Sequence, residues 1–357
     1  MRFHLLGIPN APVAQGYSLD GFSQATLKFS RMLKELGHYV YLYAPEGSEA
    51  QCDELVVTLS EEERSTLIGD TEYQYAMMEA HYPLWALSNP RTIKEIAKRK
   101  QPRDFICSIG GASQKPIADA HPGLMFVEYS IGYVSSFAKY RVYESHIWRH
   151  CTHGFQDDQQ GRFFDAVIPY FFDTGQFPFR DEKEPFALYV GRLTPRKGLA
   201  IACQAARLAG VPLKVIGHGD TELVTDGAEY LGPLGDADRN EWMSRASCLL
   251  CPTLYLEPFG ATAVEAQLCG TPAISTDFGA FVETVEQGVS GFRCNYLAEF
   301  TEAIKMAPTL NPARIRERAV KNYSMGVIKW QYERYFQRLM LLWEGGFYSG
   351  LDRLGSF

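Results

Sequence analysis

Residues 186–198 read FALYVGRLTPRKG, an apolar run that changes at Gly191 into a basic turn containing proline. The apolar run predicts a buried strand, and the pattern after the turn predicts a helix over 199–209. The same alternation continues with PLKVIG, AEYLG, CLLCP and PAIST, together with helical patterns over 236–246 and after Phe259. Strands that alternate with helices predict a doubly wound α/β domain built on a parallel sheet.

The first half of the chain has the same pattern. RFHLLGI and YVYLYA flank a helix predicted over residues 21–36, with Asp20 as its N-cap and Gly37 as its C-terminal stop. DFICSI and GLMFVEYSI predict further parallel strands. We therefore expect two Rossmann-like doubly wound domains that face each other across a ligand-binding cleft.

The predicted domain boundaries follow from composition. We assign residues 1–168 to the first domain and 186–324 to the second, and the prolines and charge cluster between them predict a linker over 169–185. Residues 325–357 begin with an amphipathic helix that is expected to pack back on the first domain. Its apolar stripe consists of Val327, Ile328, Tyr332, Tyr335, Phe336, Leu339 and Leu342.

The composition is that of an ordinary globular protein, with 46% apolar and 22% charged residues in a chain of 357. A formal net charge of −7 argues against broad nucleic-acid affinity, so an anionic ligand must meet local positive charge. The N-terminus lacks signal-peptide features and no apolar run reaches ~18 residues, which predicts a cytoplasmic protein. The eight dispersed cysteines are expected to be reduced thiols.

A second informative stretch is EPFGATAVEAQLCGTPA, residues 257–273. If a helix begins near Gly260, the N–H groups of Phe259, Gly260 and Ala261 are unpaired donors at its positive end, which suits phosphate. Glu257 and Glu265 then flank the phosphate site, where carboxylates accept hydrogen bonds from sugar and ribose hydroxyls. The alternative is an ordinary loop glutamate and an exposed helix glutamate.

The turn after the strand at 186–191 supplies positive charge for the same ligand. Arg192 and Lys197 lie on one strand-to-helix turn, and charge-assisted hydrogen bonds from them suit a diphosphate. Arg196 is expected to be solvated. The two stretches together predict a nucleotide-sugar bound end to end.

These residues resemble the retaining glycosyltransferases of family 4, which have the two-domain GT-B fold. The resemblance runs from YVGRLTPRKG through VIGHGD and YLGPLG to LYLEPFGATAVEAQLCGTPAISTDFGAFVETVEQGVSGF. It implies that Glu257 contacts the donor sugar, Glu265 the ribose, and Arg192 and Lys197 the diphosphate. The backbone amides of residues 259–261 would bind phosphate oxygens.

Further roles are implied for residues of the second half. Glu283 and Gly291 fall where the family closes its donor site with a short helix and turn. The nucleotide base is expected to contact backbone atoms around Gly217, Leu231 and Gly232, which leave little trace in the side chains.

The first half departs from the family pattern. Many members have a Gly-Gly doublet in the first loop, whereas this chain reads VAQGYSLDGFS, with Gly16 expected nearest the phosphates. A strand that ends in His in many members ends here near Glu128. That carboxylate is expected either to orient an acceptor hydroxyl or take its proton, or to bond to a neighbouring helix end.

Two sets of residues have a sequence spacing that resembles that of metal ligands. His146, His150 and His153 have helical ligand-like spacing, but no acidic fourth ligand is evident. Asp236 and Asp238 open a predicted helix, where acids cap the chain and complement the helix dipole. We therefore expect no metal and no cofactor.

The combined prediction is an enzyme that transfers a sugar from a nucleotide-sugar, with UDP favoured over GDP, to a hydroxyl acceptor with retention of configuration. The acceptor is expected to be a glycan, a lipid-linked sugar or a small molecule. The basic segment Pro90 to Arg103 suggests weak peripheral membrane contact, or else a solvated helix face. An epimerase or hydrolase that uses Glu128, and a non-catalytic nucleotide-sugar-binding protein, remain as alternatives.

Overall fold

A computed structural model describes residues 1–17, 21–69, 82–159 and 162–343. The chain forms two compact units. Unit 1 comprises the described parts of Met1–Tyr143 and Thr152–Ile168, and it also contains residues 329–343. Unit 2 comprises Glu144–Cys151 and Pro169–Ile328.

Unit 1 is built on a seven-stranded parallel sheet in the order β3-β2-β1-β4-β5-β6-β7. Its strands are β1 Arg2–Leu6, β2 Tyr39–Ala44, β3 Glu54–Val57, β4 Phe105–Ser108, β5 Met125–Ile131, β6 Tyr140–Tyr143 and β7 Asp165–Val167. The helices described in this unit are α1 Gly21–Glu35, α2 Glu61–Ile68, α3 Pro83–Arg99 and α4 Lys115–Ala120, and α5 His146–Phe155 has its first residues in unit 2 and its last in unit 1. The proposed N-cap of α1, Asp20, lies outside the described residues.

Unit 2 is built on a six-stranded parallel sheet in the order β10-β9-β8-β11-β12-β13. Its strands are β8 Glu184–Val190, β9 Leu213–Ile216, β10 Glu229–Gly232, β11 Ala246–Cys251, β12 Ala273–Thr276 and β13 Gly291–Cys294. The helices are α6 Leu199–Ala209, α7 Asp236–Arg245, α8 Ala261–Leu268, α9 Phe281–Thr284, α10 Leu297–Met306 and α11 Pro312–Tyr323, followed by α12 Met325–Trp343. The predicted pair of doubly wound parallel sheets is confirmed.

The predicted linker over 169–185 is wrong, because this segment folds into unit 2. Phe172 and Phe177 are 0% and 5% exposed and lie in the apolar core of unit 2. The Phe172 N–H also donates to the Tyr323 carbonyl at 2.9 Å. Burial of these two aromatic rings outweighs the prolines and charges that suggested a solvated connection.

The end of the chain packs on unit 1 through α12. Phe336 is fully buried, and its ring lies 4.8 Å from that of Phe3 and 5.1 Å from that of Phe105 in edge-to-face contacts. Tyr332 packs against Phe29 with the ring centroids 5.0 Å apart. Val327 is an exception to the predicted stripe, because 39% of it remains exposed.

The basic segment at the end of α3 is largely neutralised within unit 1. Three of its cations pair with carboxylates of the same unit: Arg91 with Glu63, Lys98 with Glu95, and Arg99 with both Glu54 and Glu95. This pairing does not support the predicted membrane contact. Across the described ranges, no helix combines the length and apolar character that a membrane crossing demands.

The buried ring of Phe336 provides a test of how strongly α12 stabilises unit 1. Phe336→Ala should lower the free energy of unfolding by ~3–5 kcal/mol, because it removes aromatic contacts and leaves a cavity. Trp330→Ala, in the same helix, is the control, because that side chain is 59% exposed. Urea unfolding measures both variants, and equal losses would contradict the packing described for α12.

Candidate donor site

The candidate site lies where the strand order of the unit 2 sheet reverses, between β8 and β11. Ligands of open parallel sheets bind beyond the carboxyl ends of the strands at such a switch point. Two loops leave the sheet there: residues 191–198 after β8 and residues 252–260 after β11. Five of the predicted site residues lie on these loops: Arg192, Lys197, Glu257, Phe259 and Gly260.

The two loops are in direct contact, and Gly198 makes this possible. Gly198 has φ +74°, and a Cβ atom there would lie 1.9 Å from the Pro252 carbonyl oxygen. Only glycine tolerates both the left-handed backbone and the close approach. The Leu254 N–H donates to the Arg196 carbonyl at 2.8 Å, which joins the loops a second time.

Lys197 and Glu257 form an ion pair between these loops. Lys197 Nζ lies 3.0 Å from Glu257 Oε2 and 3.3 Å from Oε1, and the side chains are 20% and 14% exposed. Burial alone would lower the pKa of Lys197, but the Glu257 carboxylate and the neighbouring Tyr255 raise it above its usual value. The lysine is therefore a fixed cation that remains accessible to a ligand.

Tyr255 is a residue of this site that the sequence did not single out. The Arg196 guanidinium stacks on its ring at 4.1 Å, and Lys197 Nζ lies 5.1 Å from the ring centroid. Arg196 is thus engaged in a cation–π contact, although it was expected to be merely solvated. By contrast, the structure describes no hydrogen bond or ion pair for the exposed Arg192 side chain within the ranges it covers.

At the start of α8, close in sequence to Glu257, the N–H groups of residues 259–261 have no hydrogen-bond acceptor among the described residues. The helix begins at Ala261, and its N-cap, Gly260, has no side-chain capping bond. Gly260 has φ +80°, and a Cβ there would lie 2.6 Å from the Phe281 ring. The ring of Phe259 packs in the core against Tyr323, so this residue can present only its backbone to a ligand.

Glu265 is accompanied by an arginine that the sequence analysis missed. Arg239 Nη2 lies 3.6 Å from Glu265 Oε2, and Nη1 lies 3.1 Å from Asp236 Oδ1. Glu265 and Asp236 together raise the pKa of Arg239. Asp236 and Asp238 both lie in the first turn of α7, as expected. The i,i+3 spacing of Asp236 and Arg239 in the sequence indicates their ion pair, but no local pattern indicates the contact of Arg239 with Glu265.

The backbone of Gly217, which is predicted to contact the nucleotide base, forms hydrogen bonds within unit 2. Its N–H donates to the Gly232 carbonyl at 3.1 Å, and its carbonyl accepts from the Tyr230 hydroxyl at 2.7 Å. A Cβ at Gly217 would lie 1.9 Å from the Gly191 carbonyl oxygen, so this glycine is required for the close approach of two strand ends. Leu231 lies next to these contacts in β10.

Glu283 and Gly291 have structural partners inside unit 2. The Glu283 carboxylate accepts from the N–H groups of His146 and Ile147 at 3.0 and 2.8 Å, and therefore caps the start of α5. Gly291 lies in β13, where a Cβ would lie 1.8 Å from the Ala273 carbonyl oxygen. The role in closing a donor site that the resemblance implies for these two residues stays a prediction.

The two predicted site residues of unit 1 have different surroundings. Gly16 is exposed, and a Cβ there would meet no atom within 4 Å. Glu128 is 0% exposed, and its carboxylate accepts from the N–H groups of Phe137 and Ala138 at 2.8 and 2.7 Å and from the Tyr133 hydroxyl at 3.2 Å. Glu128 therefore holds the loop that follows its own strand, rather than a helix end.

The histidines of α5 do not converge. His153 pairs with Asp165 at 2.7 Å, and His150 contacts Arg149 at 3.2 Å. Within the part of the chain that the structure describes, no group of three His, Cys, Asp or Glu side chains is placed to hold a metal ion. All eight cysteines are unpaired.

Comparison with known proteins finds sequence similarity that falls within unit 2. Residues 174–314 match the family model described as glycosyl transferases group 1. Over 136 residues the chain is 31% identical to the phosphatidyl-myo-inositol mannosyltransferase of Propionibacterium freudenreichii subsp. shermanii, a match that covers 35% of each protein. The chain thus spans about a third of the length of the curated relatives that it matches.

Solved structures extend the similarity of fold to nearly the whole chain. AviGT4, a glycosyltransferase involved in avilamycin A biosynthesis, matches with a TM-score of 0.70 at 20% identity, covering 96% of this chain and 98% of that one. HepE from Anabaena, solved in complex with UDP-glucose, matches with a TM-score of 0.65 at 16% identity, covering 94% and 99%. The chain therefore has the GT-B fold.

The buried Glu128 provides a prediction about pH. Burial raises its pKa from 4.5 to about 7, although its three hydrogen-bond donors act in the opposite direction. The folded state then binds a proton more tightly than the unfolded chain, so this group makes unfolding progressively easier as the pH rises from about 4.5 to about 7. The difference between wild type and Glu128→Gln in urea-unfolding free energy should change by ~3 kcal/mol across that window. A pH-independent difference would contradict this titration.

Proposed function

We propose that this chain, whose residues 174–314 match the family model described as glycosyl transferases group 1, moves a hexose from a UDP-sugar to a hydroxyl acceptor with retention of configuration. The observation that carries the proposal is the Lys197–Glu257 pair at the switch point of the unit 2 sheet, beside the uncapped start of α8. A cation, a carboxylate and free helix N–H groups together match the parts of a nucleotide-sugar.

In the proposed complex, Lys197 and Arg192 bind the diphosphate together with the backbone donors of residues 259–261. The charge on the diphosphate grows as the bond to the sugar breaks, so these fixed positive groups stabilise the departing nucleotide. Glu257 contacts hydroxyls of the transferred sugar and Glu265 those of the ribose. Binding of the diphosphate would therefore draw Lys197 away from its present pairing with Glu257.

The choice of UDP is supported by HepE from Anabaena, a neighbour in fold that was solved with UDP-glucose. The choice of a hydroxyl acceptor is supported by the mannosyltransferase relative, whose name specifies an inositol lipid. The proposed acceptor for this chain is a glycan, a lipid-linked sugar or a small molecule.

Retention follows from a reaction on one face of the sugar. The acceptor oxygen forms its bond to the anomeric carbon on the face from which the nucleotide leaves, and the departing phosphate accepts the hydroxyl proton. No protein nucleophile is needed, and positioning and charge stabilisation carry the catalysis. Glu128 has no step in this scheme, since its carboxylate is buried and bonded to its own loop.

The functional test compares ligands with and without phosphates. Arg192→Ala and Lys197→Ala should each weaken UDP binding ~10-fold or more, because a charge-assisted hydrogen bond is lost, and should change uridine binding less than ~2-fold. Arg196→Ala, on the same turn but stacked on Tyr255, is the matched control. Equal losses for UDP and uridine would contradict the assignment.

The same preparations distinguish a transferase from its alternatives. UDP release from a UDP-sugar that requires an added acceptor indicates transfer, whereas release without an acceptor indicates hydrolysis. Binding without release in any acceptor mixture would favour the non-catalytic alternative. The configuration of the product, read from its anomeric proton by NMR, tests retention.

A separate prediction concerns metal ions. The developing negative charge on the diphosphate is met in this proposal by Arg192, Lys197 and the start of α8, so a divalent cation has no required role. Turnover should therefore persist after exhaustive EDTA treatment. Loss of activity on chelation that magnesium or manganese restores would contradict this proposal and direct attention to Asp236 and Asp238.

A further inference from the structure

Arg239 lies between two carboxylates in unit 2 and is itself largely buried. Its side chain is 19% exposed, whereas Glu265 is 12% and Asp236 36% exposed. Arg239 contacts Asp236 on its own helix α7 and Glu265 on the adjacent helix α8. Asp236 therefore fixes the guanidinium from the more exposed side, and the guanidinium faces Glu265 on the more buried side.

The contact between Arg239 and Glu265 leaves hydrogen-bonding capacity unused. At 3.6 Å it is an ion pair without a direct hydrogen bond, and Glu265 Oε2 is a buried atom with no hydrogen-bond partner among the described residues. An unpaired buried carboxylate oxygen is costly unless something satisfies it. This oxygen thus has a nearby positive charge and a vacant acceptor position.

A different arginine of α7 shows what a purely structural pair looks like in this helix. Arg245 donates to both oxygens of Glu184 at 2.6 and 2.9 Å, and these side chains are 29% and 47% exposed. That pair is complete and more exposed. The pair formed by Arg239 is incomplete and shielded, and it is adjacent to the start of α8.

We propose that Arg239 is a positioning residue for Glu265, holding its carboxylate oriented toward the vicinal hydroxyls of the donor ribose. The inference rests on the proposed function, because it takes the ligand of this site to be a nucleotide. Arg239 touches no substrate in this account. It acts by fixing the acceptor that recognises the 2′- and 3′-hydroxyl groups.

The test measures the preference for ribose rather than affinity alone. Isothermal titration compares UDP with 2′,3′-dideoxy-UDP on wild type, Arg239→Met, Arg239→Lys, Glu265→Gln and the control Arg245→Met. Wild type should prefer UDP by ~10-fold or more, the magnitude of a hydrogen bond to a charged group. Arg239→Met and Glu265→Gln should each reduce that preference to within ~2-fold, while Arg245→Met retains it.

Further variants distinguish a specific loss of ribose recognition from a general disturbance of the fold. Arg239→Lys should recover part of the preference, because it restores the charge without the planar fork. Asp236→Asn, at a more exposed position, should lower the preference partially if Asp236 holds Arg239 in place. In the double variant Arg239→Met/Glu265→Gln, the loss should equal that of either single variant, because both remove the same recognition.

The outcomes separate this inference from the proposed function. A wild-type protein that binds UDP but shows no ribose preference, or a folded Arg239→Met variant that keeps the preference, overturns the role of Arg239 and leaves nucleotide binding intact. A wild-type protein that binds no nucleotide overturns both.

Discussion

The ion pair of Lys197 and Glu257 depends on the close approach of two strand ends. The turn after β8 presses against the end of β11, and Gly198 is the residue that permits it, since a Cβ would collide with the Pro252 carbonyl. The pair then joins a cation from one loop to a carboxylate from the next. The topology of the sheet brings these loops together, and a single glycine sets how closely they meet.

A second cation of unit 2, Arg239, also lies beside a carboxylate. In a chain with a net charge of −7, Lys197 and Arg239 are each held beside a carboxylate, so positive charge is present locally without making the protein basic. Such pairs place a cation beside a partly buried carboxylate, and their attraction offsets part of the cost of desolvating both groups. A ligand hydroxyl can then donate to the carboxylate, and an anionic phosphate can bind to the cation.

Much of the fold could be predicted because it rests on local patterns. Apolar runs and helical spacing predicted both parallel sheets, and the glycine-rich stretch predicted a helix start near Gly260, next to the observed start of α8 at Ala261. The errors have non-local causes. Phe172 and Phe177 looked like part of a linker because nothing nearby in the sequence shows that they are buried in unit 2. No local pattern encodes the contact in which Glu283 accepts from an N–H group 137 residues away, and its part at a donor site stays a prediction.

The most direct test of this account is a crystal structure of the protein with UDP bound. We expect the diphosphate to contact Lys197 and the backbone of residues 259–261, Lys197 Nζ to move away from Glu257, and the ribose hydroxyls to contact Glu265. A nucleotide bound elsewhere, or a diphosphate bound with the Lys197–Glu257 pair still closed at 3.0 Å, would contradict it.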